Sequence, residues 1–181
     1  MWGLHFDMRA PSFGAPRTAL YENALEMTSW AEQHGCVNVT LSEHHFEDDG
    51  YLPSPLVMAA AVAARTSKIR ITVSALVLPL HDPIRAAEDV LVVDQISKGR
   101  LVVVLVPGYS AREFAGYGVD HASRGALLEQ HAVTFVSALS GEPIDRAGTP
   151  VRLTPPAVQQ PRPIVLVGGS SLAAARRAAR V

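Results

Sequence analysis

Apolar positions along the 181-residue chain switch repeatedly between short unbroken runs and helical spacing, marking out alternating strands and helices. Trp2–Phe6 is a short apolar run. Thr18 to His34 carries Leu20, Ala24, Met27 and Ala31 at helical spacing and ends at Gly35, a C-terminal glycine stop. Val37–Leu41 is a second strand. Pro55 to Arg65 is an alanine-rich helix whose proline fits the first turn. Ile69–Leu78 is a β-branched run and predicts a third strand. Pro83 to Ile96 is another proline-opened helix. Arg100–Val106 is nearly continuous in Val and Leu, the pattern of a parallel strand buried on both faces. Helices are predicted over Ala111 to Tyr117 and Arg124 to Leu139. Gly141 to Pro163 is Pro-rich and polar and forms a long excursion. Ile164–Val167 is the fifth strand, Gly168-Gly169-Ser170-Ser171 a tight turn, and Leu172 opens a last helix.

Strand–helix alternation with crossovers of this length means α/β with parallel strands. Periodicity alone does not separate an open doubly wound sheet from a barrel. A full barrel takes about 250 residues, so length favours the open sheet; the motifs below favour the barrel. The chain is expected to be one domain over residues 1–181.

Composition narrows the partners. Hydrophobic residues make up 48% and charged residues 18%, as in soluble globular proteins. The 16 Lys and Arg nearly balance 17 Asp and Glu, which gives no pull toward nucleic acid or anionic lipid. Cys36 is the single cysteine, so an internal disulfide is impossible and a reducing, cytoplasmic setting is the expectation. The longest apolar stretches, Leu56 to Ala64 and Ile71 to Leu80, fall well short of the roughly 20 residues of a membrane span. The chain opens directly on a strand, without a signal-peptide pattern.

Candidate chemistry gathers where strands end, which is where parallel α/β folds bind ligands. Ser42-Glu43-His44-His45-Phe46 puts two imidazoles and a carboxylate just past the second strand, suited to hydrogen bonding with an electron-rich ring or to proton transfer. The bland alternative is that Glu43 orients a structural histidine. A metal site would draw on His5, His44, His45, His81 and Asp82, but none has the spacing of a known zinc motif, and no metal is expected. Leu78-Pro79-Leu80-His81-Asp82-Pro83 has the make-up of a rigid βα loop. Asp94 to Arg100 is a helix stop and strand start, with Gly99 at positive φ, and its role is structural. After the fourth strand, Gly108 would let a cofactor approach the backbone, Arg112-Glu113-Phe114 follows, and Arg124 could grip a phosphate. At the Gly168–Ser171 turn, backbone amides and hydroxyls meet a helix N-terminus, which suits a phosphate; Ser170 could also be only an N-cap.

Taken in order, the runs SEHHFEDDGYLPSPLVMAAAVAARTSKIRI, LVLPLHDPIRAAEDVLVVDQISKGRL, GYSAREFAGYGVD and QQPRPIVLVGGSS resemble the bacterial luciferase-like monooxygenases, a family of flavin- and deazaflavin-dependent oxidoreductases. The resemblance runs over nearly the whole chain. It implies a partial TIM (β/α)8 barrel of about five parallel strands with outer helices, incomplete after the fifth strand. It also implies a flavin-dependent monooxygenase using reduced FMN and oxygen on a small organic substrate, with a deazaflavin as the alternative cofactor. A homodimer and a separate flavin reductase as partner belong to the same expectation. A non-catalytic flavin-binding or interaction protein on a truncated barrel is the runner-up, and an open α/β protein binding a phosphorylated metabolite the third reading. By resemblance, His44 is the catalytic histidine near the flavin ring and His45 its neighbour. Ser74 and Ala75 fall where members carry a non-proline cis peptide beneath the ring. Gly108, Arg124, Gly168, Gly169 and Ser170 match positions at the phosphate end. Pro107 departs from the family's small residue there and removes a backbone donor.

Overall fold

In a computed structural model, residues 1–169 and 172–179 are described. Five strands, β1 (Trp2–Phe6), β2 (Cys36–Leu41), β3 (Arg70–Leu76), β4 (Leu101–Leu105) and β7 (Ile164–Val167), form one sheet in the order β1-β2-β3-β4-β7. Every pair is parallel. The order follows the chain without reversal. A doubly wound sheet reverses its order at a switch point, so the topology is that of a barrel arc.

The two faces of the arc differ in character. Successive side chains point to opposite faces. Val39 and Leu41 of β2, Ile71 and Val73 of β3, and Leu101, Val103 and Leu105 of β4 are all buried in the main core. That core is closed by α1 (Arg17–Gln33), α2 (Pro55–Arg65), α3 (Pro83–Ser97) and α5 (Arg124–Leu139). The other face carries His5, Asn38, Thr40, Ser42, Thr72 and Ser74. Asn38 Nδ2 donates to Thr40 Oγ1 at 2.9 Å, and Thr72 Oγ1 donates to Asn38 Oδ1 at 2.7 Å, so this face holds its polar side chains in hydrogen bonds. The unbroken Val/Leu run of β4 therefore reflects apolar residues on both faces, whereas β2 and β3 alternate.

Helix boundaries follow local chemistry. Pro55 and Pro83 each open a helix, and Asp82 caps α3 by accepting from the amides of Ile84 and Arg85. At the end of α3, Lys98 takes the left-handed conformation (φ 56°) and Gly99 follows at φ 81°. The expected positive φ at Gly99 is present, but the cap itself is the lysine. Asp94, fully buried, accepts from the amides of Val158 and Gln159 and from the Gln159 side chain. It pins the end of the excursion against α3. Arg100 donates to the carbonyls of Ala63, Thr66, Ile69 and Ser97, tying the end of α2 to the start of β4.

The excursion itself is not structureless. It holds an antiparallel hairpin, β5 (Ile144–Arg146) and β6 (Thr149–Val151), closed by Ala147 and Gly148, both at positive φ. Two positive-φ residues make the turn that matches strand twist in a two-residue hairpin. Three-residue strands with Pro150 inside, and alanine rather than Asn or Asp at the turn, leave almost no sequence signal. α4 (Ala111–Gly116) and α6 (Leu172–Ala178) complete the elements.

Candidate functional site

The carboxyl ends of the strands surround a cleft of about 380 Å³. Its walls come from three βα loops and the last strand: Ser42, Glu43 and His44 after β2; Ser74, Ala75 and Val77 at the end of β3; Val106 to Tyr109 after β4; and Gly169 after β7. Tyr51 and Glu113 also face it. The volume lies in the range of small-molecule sites, and the lining is mostly apolar with a few converging polar groups.

His44 is the cleft's imidazole. Its Nδ1 donates to Glu113 Oε1 at 2.8 Å, so the ring's Nε2 is the atom left to the cleft. The edges of Tyr51 and Tyr109 meet the ring at centroid distances of 4.6 and 5.4 Å, which restricts its rotation. Glu113 is buried on α4 and also accepts from the His45 amide at 3.0 Å. One carboxylate thus fixes both the ring and the backbone of the His44–His45 pair.

His45, expected beside His44 as a catalytic group, does not line the cleft. It is buried, with Nε2 3.0 Å from Glu43 Oε1 and Nδ1 3.0 Å from the Tyr117 hydroxyl. Its side chain alternates away from that of His44, as adjacent positions in extended chain do. Glu43 also accepts from His81 Nε2 at 2.7 Å and from the Val77 amide. Burial pushes the Glu43 carboxyl up, but hydrogen bonds from His45 and His81, the His81 charge and the Val77 amide outweigh it and hold the group at about 2. Burial lowers His81, and the hydrogen bond and charge of Glu43 with the more distant Asp89 reverse this to a net rise. Burial and the charges of Glu43 and Glu113 raise Tyr117, so its phenol stays protonated and donates to His45.

Ser42 and Ser74 close the floor. Ser42 Oγ donates to the Ser74 carbonyl at 2.9 Å, which uses its one hydrogen. The contact of 2.7 Å to His5 Nε2 must then be a donation from the imidazole. The peptide between Ser74 and Ala75 is cis, at the position where the resemblance expects one.

The phosphate-end residues separate. Gly169 lines the cleft with His44. Gly168 does not; its amide is bonded to the Leu105 carbonyl at 2.8 Å and is unavailable to a ligand. Gly108 lines the cleft, but its glycine is required by the protein itself. It sits at φ 76°, and a Cβ there would come within 2.7 Å of Val77 and 2.9 Å of Phe114. Arg124 is not among the lining residues; it opens α5 and donates to the His121 carbonyl at 2.8 Å. Ser170 and Ser171 lie outside the described residues. Among the described residues, no three His, Cys, Asp or Glu side chains form a group that could hold a metal.

Residues 5–181 match the family model described as luciferase-like monooxygenase. The chain belongs to the luciferase-like monooxygenase family. It is 34% identical over 113 residues to the alkanal monooxygenase alpha chain of Photorhabdus laumondii, covering 62% of this chain and 32% of that protein. The crystal structure of the monooxygenase RslO1 from Streptomyces bottropensis superposes with a TM-score of 0.85 at 26% identity, over 92% of this chain and 52% of that one. The oxygenating constituent of 3,6-diketocamphane monooxygenase from Pseudomonas putida, solved with FMN, shares the fold at a TM-score of 0.79 and 18% identity, over 92% of this chain and 50% of that one. The chain spans about half the length of the solved relatives it matches. The five-strand arc corresponds to part of the TIM barrel of these solved relatives; among the described residues no helix is long and apolar enough to cross a membrane.

The sequence shows the stretches holding Tyr109 and Glu113 but assigns neither a role, and it gives no signal for Tyr51 or Tyr117. The available hint for Glu113 was its place beside Phe114 in a short helix, where a buried carboxylate needs a partner.

Proposed function

We propose that the protein is a flavin-dependent monooxygenase that acts on a small organic substrate with reduced FMN and oxygen. The observation that supports this most is the convergence of His44, the Ser74–Ala75 segment and Gly169 on one mostly apolar cleft. A flat ring of isoalloxazine type fits that donor set: Ala75, Val77 and Val106 offer apolar walls, and His44 and Ser74 offer polar atoms at the edges. Gly169 leaves room at the far end, while Pro107 brings no amide donor there.

When bound, reduced flavin supplies the electrons that activate oxygen. The chain's own residues do the rest. Glu113 holds His44 with Nδ1 protonated, so Nε2 can accept a proton from a group in the cleft and return it. Val77, Val106 and Ala75 would keep water from a bound ring. A separate flavin reductase would supply the reduced cofactor. Titrating the protein anaerobically with reduced FMN, and in parallel with a reduced deazaflavin, tests the reading. Saturation by FMN in the micromolar range is expected; binding of neither cofactor at that level would remove the proposal.

Association as a homodimer belongs to the same reading. α2 and α3 present a groove of about 410 Å³ in which Val57 is 72% and Val92 47% exposed, flanked by Ala60. Small residues there allow two helix pairs to approach closely. Light scattering is expected to give twice the chain mass, with Val57→Arg shifting it to the monomer; a monomeric wild type at micromolar concentration would contradict it.

A further inference from the structure

The network behind the cleft has a feature that the reading of His44 does not use. Glu43 has a fully buried carboxylate, and its ion-pair partners are both histidines. His45 has both ring nitrogens engaged, Nε2 with Glu43 Oε1 and Nδ1 with the Tyr117 hydroxyl, each at 3.0 Å. The compensating charge for Glu43 falls to His81, whose side chain is 31% exposed and reaches Glu43 at 2.7 Å. Glu43 is the residue before His44. Through it, the loop after β2 is bolted to the Val77 amide after β3 and to Tyr117 past α4.

We infer that His81 is a positioning residue that holds His44 in place through Glu43, so that the cleft holds its geometry most firmly while His81 is a charged imidazolium. The inference rests on His44 being the working imidazole of the cleft. The groups facing the pair are few. Asp89 on α3 adds negative charge near His81, and Tyr117 and Glu113 lie on the Glu43 side. Asp82 beside His81 is engaged with Arg146, Arg85 pairs with Glu88 and Asp89, and His131 turns its Nδ1 to the Leu78 carbonyl.

The direction of the pH effect follows. His81 is raised, so its contribution is complete below its ordinary 6.5 and is lost as pH rises through the folded value. Glu43 is lowered, so its contribution is complete above its ordinary 4.5 and is lost as pH falls toward about 2. The network is fully formed between these limits and weakens first on the alkaline side. Above that window a neutral His81 can still donate, but the buried carboxylate has no counter-charge.

Imidazole nitrogen NMR on the labelled chain, without flavin, tests this. In the wild type, His81 is expected to titrate above 6.5, and the His44 resonances to shift with the same midpoint. Glu43→Gln should return the His81 midpoint to the ordinary range. His81→Gln keeps a donor at similar reach without charge, and should abolish the coupled step and hold His44 at its high-pH position throughout. A His81 midpoint unmoved by Glu43→Gln, or His44 signals blind to His81, overturns the inference. Should either variant fail to fold, the wild-type titration alone decides, because uncoupled midpoints suffice to reject it. No cofactor is present, so failure here is separate from failure to bind flavin.

Discussion

Replacing His44 with alanine is expected to lower substrate-dependent oxygen uptake by about 10²- to 10⁴-fold, the range that a positioned proton-transfer group contributes. Glu113 holds the ring at 2.8 Å through Nδ1, and Tyr51 and Tyr109 bracket it, so the imidazole presents one defined nitrogen to the cleft. Alanine removes that nitrogen and leaves the fold's core untouched, since His44 is only partly buried. Reduced flavin should still bind. A single hydrogen bond contributes about 0.5–1.5 kcal/mol, so affinity should change by no more than about tenfold. The measurement is oxygen consumption by the purified protein with reduced FMN, using any small organic substrate that stimulates the wild type. Comparable stimulated rates in the variant and the wild type would remove His44 from the chemistry.

The second large effect is on stability. Glu43→Ala is expected to destabilise the chain by about 3–5 kcal/mol, the cost of breaking a buried charge pair. At about 2–4 °C per kcal/mol for a chain of this size, the melting temperature should fall by about 6–20 °C. Glu43 accepts from His45, His81 and the Val77 amide, and its side chain is fully buried. Alanine strands all three donors, one of them charged. Glu43→Gln keeps an acceptor oxygen and should lose less. Thermal unfolding followed by circular dichroism checks both, and a change of less than about 2 °C for the alanine variant would show that the network adds nothing to stability.

These two residues are adjacent in sequence and do different work, which the sequence does not disclose. The run Ser42–Phe46 stands out because histidines and a carboxylate follow a strand, and the possibility that Glu43 orients a histidine was visible. Which histidine faces the ligand was not. The assignment depends on Glu113, 69 residues away, and on Tyr117, 72 residues from His45. Neither contact has a local signature. The glycines carry structural constraints that the sequence does not show. Gly108 lines the cleft, but it is also a glycine because a Cβ there would meet Val77 and Phe114, and Gly168 uses its amide in a backbone bond to Leu105.

What the sequence determined alone is what local physics controls. Proline at a helix start, glycine after a helix end and β-branched runs are decided within a few residues, so β1, α2, α5 and β7 are legible to the residue. Parallel pairing also follows from crossover length. Tertiary structure alone decided the barrel arc over the open sheet, because strand order is a matter of which edges meet. It alone turned His44 to the cleft and His45 to the interior, because Glu113 and Tyr117, far along the chain, select the orientation that satisfies their hydrogen bonds.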